Sequence, residues 1–242
     1  MSVVTPEQFW NLFAENLPEF RKDELRECYP KSSEWTCIIF PFLKYLTKYI
    51  SETNKITVKY GREVKHEEKE TKEVYKIDVI FYEEENEFGN EIAFIEHENM
   101  IDTKEPKELI NLQKIGSSKL KVFIWYYNTH ISTWGTDPYN FQDQKNTILK
   151  NMKDCNGNGD NWLFILGPGT YNGDSIFKNN IDKYFECIDN SIYNDYIAFT
   201  LTKENGELEP IMLDRKEIIR KFNNPNASFS QNPTHEYPKN TL

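Results

Sequence analysis

Tyr75–Tyr82 reads Tyr-Lys-Ile-Asp-Val-Ile-Phe-Tyr, and Glu91–Asn99 reads Glu-Ile-Ala-Phe-Ile-Glu-His-Glu-Asn, with an acidic stretch between them. Both runs are apolar and β-branched, so both predict strands. Both also carry carboxylates where strand sequence normally avoids them: Asp78 within the first, Glu96 and Glu98 closing the second. Residues two apart on a strand share a face, about 6–7 Å apart along the chain, so Glu96 and Glu98 point the same way. Pairing of the runs through a Glu83–Asn90 turn brings Asp78 to that face from a strand about 4.8 Å away. By the same alternation His97 faces the other way, towards a packed helix.

Two carboxylates about 5 Å apart repel by roughly 3 kcal/mol at an effective dielectric near 20. Protons relieve that cost, and so does a hard divalent cation. Mg²⁺ takes oxygen ligands and commonly shares them with waters and phosphate oxygens, so three acids at strand ends suggest a phosphoryl-transfer metal site. The competing reading is a hairpin whose acids simply face water.

A chain of 242 residues suits one large domain or two small ones, and no convincing internal linker divides it. Sixteen Phe, fourteen Tyr and five Trp can fill a sizeable core despite 28% charged residues. A net charge of −10 argues against coating nucleic acid or an anionic membrane by bulk attraction, though a local basic cleft remains compatible with it. Cys28, Cys37, Cys155 and Cys187 make no zinc spacing with the scattered histidines and read as free thiols. The start shows no basic-then-apolar leader, and the most apolar segment, Thr36–Leu43, is too short to span a bilayer. A cytoplasmic protein without a membrane partner is expected.

Along the chain, Thr5-Pro6-Glu7-Gln8 is a capped helix start followed by Phe9, Trp10, Leu12, Phe13 and Leu17 at helical spacing. A short charged helix over Glu19–Glu27 is expected next. Ser32 or Ser33 would then cap a helix from Glu34 to Ser51, apolar on all sides and kinked at Pro41. Ile56–Val64 alternates as a strand, with a bulge at Gly61, and His66–Glu73 reads as a charged turn. After the central hairpin come a helix over Lys107–Ile115, stopped by Gly116, and a strand over Leu120–Tyr127, apolar enough for burial on both faces in a parallel arrangement. Helix Phe141–Lys153, turn Cys155–Asn161, strand Trp162–Leu166, helix Ile176–Ile188, hairpin Tyr196–Thr202 with Glu209–Leu213, and helix Arg215–Phe222 complete a single α/β domain over 1–222. The Asn-, Pro- and Ser-rich stretch 223–242 reads as a flexible tail.

The order helix, strand, strand with Asp78, strand with Glu96-x-Glu98, helix, buried strand resembles the PD-(D/E)XK nuclease superfamily over residues 34–127, about two fifths of the chain. The resemblance implies a restriction-endonuclease-like fold, a central mixed β-sheet flanked by helices. It also implies a Mg²⁺-dependent endonuclease, Mn²⁺ substituting, that hydrolyses phosphodiester bonds in DNA, such as a restriction endonuclease. Asp78 and Glu96 match the two metal-binding acids. Glu98 stands where the family usually has Lys, as in some restriction endonucleases of the superfamily, and serves as a further ligand or proton acceptor. Lys76, two residues before Asp78, is the candidate for the missing cation. Gln113 is the candidate helix residue orienting the site, and Glu63 a candidate fourth acid. DNA would be met by Lys104, Lys107 and Lys114, with Lys119, Lys121, Lys145, Lys150 and Lys153 nearby; Trp125, Tyr126 and Trp134 are candidates for stacking on bases, core packing being the alternative for Trp125. Members that cut both strands commonly act as a homodimer, but no stretch here marks an interface. The alternative is a member of this fold that has lost cleavage and binds a protein or nucleic-acid partner.

Overall fold

The computed structural model describes residues 4–17, 36–67, 74–84, 90–100, 103–115, 119–128, 140–153, 161–169, 196–204 and 207–213. Four helices and seven strands lie in them: α1 Pro6–Asn16, α2 Thr36–Asn54, β1 Val58–Glu67, β2 Val74–Glu83, β3 Glu91–His97, α3 Lys107–Lys114, β4 Leu120–Asn128, α4 Phe141–Met152, β5 Trp162–Gly169, β6 Ile197–Glu204 and β7 Glu207–Leu213. The expected helices Glu19–Glu27, Ile176–Ile188 and Arg215–Phe222, the caps Ser32 and Ser33, residues 68–73, Trp134 and the tail 223–242 lie outside the described residues. So do Cys28, Cys155 and Cys187.

All seven strands join one sheet in sequence order. β1, β2 and β3 form an antiparallel meander, β3, β4 and β5 run parallel, and β6 and β7 return antiparallel. The mixed sheet follows from the connections. The hairpin closes with the Glu83 N–H donating to the Asn90 carbonyl (3.1 Å) and the Asn90 amide to the Glu83 carboxylate (3.1 Å). The parallel steps instead need crossovers, which α3 and α4 supply.

Each face of the sheet carries a helical layer. On one, α1 contributes Phe9, Trp10 and Phe13, and α2 contributes Ile39, Phe42, Leu43, Leu46 and Ile50, against Val79, Phe81, Ile95, Val122, Ile124 and Ile165. On the other, Leu109 and Leu112 of α3 and Ile148 and Met152 of α4 cover Ile80, Phe94, Phe123, Trp125 and Phe164. β3 and β4 are thus buried on both faces, which explains the near-continuous apolar run of β4. The expected capping box is present: Thr5 Oγ1 accepts from the Gln8 N–H (3.2 Å) and Gln8 Oε1 from the Thr5 N–H (3.0 Å).

Two readings of local structure are corrected. α2 is not largely buried: its buried residues make one stripe, while Lys44 and Lys48 are exposed; Pro41 lies inside the helix, as expected. Nor does Gly61 mark the bulge, because Gly61 pairs in register with Ile80. The irregularity lies at Glu63, which has a left-handed backbone (φ 52), and at Asp78 opposite it; that pair is skipped in an otherwise constant register. No helix among the described residues is long and apolar enough to cross a membrane.

Candidate functional site

The skipped position organises the acids. Tyr75 and Ile77 pack into the layer of α3, and so does Ile80, whereas Val79 and Phe81 pack towards α2. Simple alternation would put Ile77 and Val79 on one face, so β2 changes face at Asp78. The β2–β3 register ends at Val79 with Ile95, one residue short of Asp78 with Glu96. Side chains replace the missing ladder bonds. The Asp78 N–H donates to Glu96 Oε2 (3.2 Å), and the His97 N–H donates to Asp78 Oδ2 (3.0 Å). The two acids are therefore cross-tied at the point where the strands part.

Glu98 continues beyond β3, its N–H donating to the Ile124 carbonyl (2.9 Å). Its Oε1 accepts from the Met100 N–H (2.7 Å), and its carboxyl group hydrogen-bonds that of Glu108 in the first turn of α3. Glu108 is a site residue that the sequence reading overlooked. A signal was present: Glu108 lies four residues before buried Leu112 and beside Leu109, so an acid occupies the inward stripe of an amphipathic helix.

Glu96 and Glu98 are only 2% and 7% exposed. Burial, then the charge of Asp78, pushes the Glu96 carboxyl up to about 10. Burial and the bond to Glu108 push Glu98 up to about 8. Asp78 is also raised by burial, against the lowering effect of the His97 N–H. Glu96 Oε1 and Glu108 Oε2 are buried and receive no hydrogen bond from an N–H or O–H donor. Burial therefore favours the protonated forms of Glu96 and Glu98 in the metal-free protein. Among the described residues, no three His, Cys, Asp or Glu side chains are set out as they would be around a metal ion. The acids meet instead as two carboxyl pairs, Asp78 with Glu96 and Glu98 with Glu108. Their donor chemistry, all hard oxygen with two buried oxygens lacking a donor, nevertheless suits Mg²⁺ or Mn²⁺.

The remaining candidates lie elsewhere. Lys76 does not share the face of Asp78, because β2 changes face there; its ammonium is exposed and 3.4 Å from Glu63. Glu63 stays outside the buried cluster and acts on it through charge alone. Gln113 is turned to α4, its amide donating to the Asn151 carbonyl (2.9 Å). Lys104 and Lys107 are exposed at the start of α3, and Lys114 is exposed with its ammonium over the Tyr75 ring (5.4 Å). Lys121 cannot meet DNA. It is buried, donates to the Ile115 carbonyl just past the end of α3 and lies over Trp162. Trp125 and Tyr126 are core residues, unable to stack on bases. His97 faces α2, as alternation predicts, with Nε2 2.6 Å from the Tyr126 hydroxyl and its ring edge-on to Phe40. Burial holds it neutral, down at about 3.

No protein-family model, no curated protein and no solved structure matches this chain.

Proposed function

We propose that this chain is a metal-dependent endonuclease with the restriction-endonuclease-like fold, hydrolysing phosphodiester bonds in DNA. The observation that carries this reading is the cross-tied pair Asp78 and Glu96 at the parting of β2 and β3, with Glu98, bonded to Glu108, two residues further along. The succession α2, β1, β2, β3, α3, β4, with β3 antiparallel to β2 and parallel to β4, supports it.

Asp78, Glu96 and Glu98 would hold Mg²⁺. Bound there, the ion would polarise a phosphate and make water more acidic. The chain's own residues supply the rest. The Asp78–His97 and Asp78–Glu96 bonds fix two of the acids before any ligand arrives, which limits the reorganisation needed on binding. Glu98, which burial raises to about 8 in the metal-free protein, would act as an acceptor for the proton of an attacking water only once ionised, as a bound cation would favour. Lys104 and Lys107, at the head of α3, would meet phosphates flanking the scissile one.

One observation favours a second reading, a nuclease-fold protein that binds without cutting: no lysine or arginine among the described residues pairs with the acids, and Glu98 replaces the family lysine. Plasmid cleavage with Mg²⁺ or Mn²⁺ separates the two. We expect nicking or linearisation, lost in Asp78→Ala and in Glu96→Ala. No cleavage under any divalent ion would favour the binding protein, and cleavage surviving both substitutions would remove this site from the reaction.

A further inference from the structure

β2 is not the only strand to change face at the level of Asp78; β1 changes with it. Val58 and Tyr60 pack in the layer of α1 and α2, and the Arg62 guanidinium lies over the Phe40 ring of that layer (4.7 Å). By alternation Val64 belongs there too, yet it packs in the layer of α3 and α4. Gly61 points the same way: a Cβ there would come 2.7 Å from Val64 Cγ2, although a regular strand would turn these two positions to opposite faces. Both strands therefore invert at one level. The register is constant on either side, Arg62 with Val79 and Val64 with Ile77, and between them Glu63 and Asp78 drop out of the ladder. On the other side of β2 the ladder to β3 stops at Val79 with Ile95. Asp78 is thus released from both neighbouring ladders, and its N–H and carboxylate turn to Glu96 and to the His97 N–H. Irregularities of this kind bend a strand and re-aim a side chain. The unusual backbone in the skipped pair is that of Glu63, left-handed at φ 52. Glycine and asparagine take that conformation readily, most other residues seldom, and β-branched ones hardly at all. The Glu63 carboxylate is exposed and 3.4 Å from the Lys76 ammonium, so it is the backbone of Glu63 that shapes β2.

We propose that Glu63 is a positioning residue for the acidic site: its left-handed backbone inverts β1 and β2 together and so frees Asp78 to tie with Glu96 and His97. The inference rests on the Asp78–Glu96 pair of the proposed function but not on its reaction. A residue that accepts a left-handed backbone serves at this position whatever its charge. A β-branched residue draws the skipped pair back into the ladder and breaks the ties of Asp78.

The test is amide NMR of the ¹⁵N-labelled full chain in EDTA, with hydrogen exchange followed at Asp78 and His97. Glu63→Gly, Glu63→Asn and the charge control Glu63→Gln should keep both resonances and their protection. Glu63→Val should shift both and speed exchange of the His97 N–H by about tenfold or more. Unmoved amides in Glu63→Val would show that the inversion does not need residue 63, and displaced amides in Glu63→Gln would assign the effect to charge; either overturns the proposal. Should Glu63→Val misfold, which circular dichroism would report, Glu63→Asn decides. It should raise the urea midpoint with both amides in place, and a lowered or unchanged midpoint would overturn the proposal. Metal binding and cleavage are scored separately. Where wild type takes Mn²⁺, Glu63→Val should bind it about 10–100-fold more weakly and Glu63→Gln as well as wild type; equal affinity in wild type and Glu63→Val counts against the proposal. A wild type that neither binds Mn²⁺ nor cuts plasmid, with the amides behaving as expected, would refute the nuclease reading and leave the role of Glu63 standing. Plasmid cut equally by wild type and Glu63→Val, with the amides unmoved, would do the reverse.

Discussion

At the scale of single residues, Glu96 and His97 are neighbours with opposite electrostatic problems. Glu96 is buried among acids and keeps its proton up to about 10, while His97 is buried against Phe40 and Tyr126 and refuses one until about 3. Each shift makes stability depend on pH, with opposite signs. A carboxyl raised in the folded state binds more protons folded than unfolded, so its contribution is whole below the unfolded value near 4.5 and is lost as pH rises towards the folded value. His97 contributes nothing adverse above its unfolded value of 6.5 but destabilises as pH falls below it. Between about pH 6.5 and 8 the carboxyl groups therefore act without His97. In EDTA, stability should fall across that window by about 1.4 kcal/mol per pH unit for each proton retained. Glu96→Gln, which carries its hydrogens permanently, should remove the share due to Glu96. Urea unfolding at several pH values checks this, and an equal slope in wild type and variant would show that Glu96 is ionised in the folded protein.

At the scale of elements, the sheet depends on close approaches that only certain residues permit. Gly167 of β5 runs beneath two aromatic rings: a Cβ there would come to 2.5 Å from Tyr196 Cε1 and 3.0 Å from Tyr126 Cδ1. Tyr196 in turn packs on Phe13 of α1, and Tyr126 bonds His97. Gly167→Ala should push both rings and cost about 1–3 kcal/mol, seen as a lower denaturation midpoint at unchanged m-value. An unmoved midpoint would mean that the rings shift freely. The elements themselves were legible in the sequence to the extent that they obey local rules. The Thr5–Gln8 box, the hairpin around Glu83 and Asn90, and the doubly buried β4 each announce themselves within a few residues. The face change at Asp78 does not, because it depends on Glu63 of the neighbouring strand adopting a left-handed backbone. That unseen change explains the misplacement of Lys76. Lys121 was misjudged for a similar reason: its charge reads as exposed until β4 is seen to pass the end of α3, where the Ile115 carbonyl takes its ammonium.

At the scale of the molecule, the difficulty is charge. A chain of net −10 with a buried acidic cluster repels a polyanion, and the lysines of α3 offer only a few phosphate contacts. The approach of Asp78 to Glu96 was readable from the pairing of two acid-bearing strands, but the pairing of Glu98 with Glu108 depends on how α3 docks, which a linear reading of acids one motif at a time does not capture. Lys104 and Lys107 are exposed at the head of α3, the helix that carries Glu108, so on the nuclease reading cation binding and DNA binding should be linked. If the nuclease reading holds, divalent ions should raise affinity for duplex by neutralising the carboxylates of the acidic cluster. Ca²⁺, an oxygen-binding ion used in place of Mg²⁺ to hold substrate, should let the protein retain a short duplex that it releases in EDTA. The dependence of log K on log salt should then fall by about 0.9 for each of Lys104, Lys107 and Lys114 that touches a phosphate when it is changed to Gln. Fluorescence anisotropy with labelled duplex measures both quantities. Equal retention in Ca²⁺ and EDTA would separate the acids from DNA binding altogether, and a slope unaffected by all three substitutions would move the nucleic-acid face away from α3.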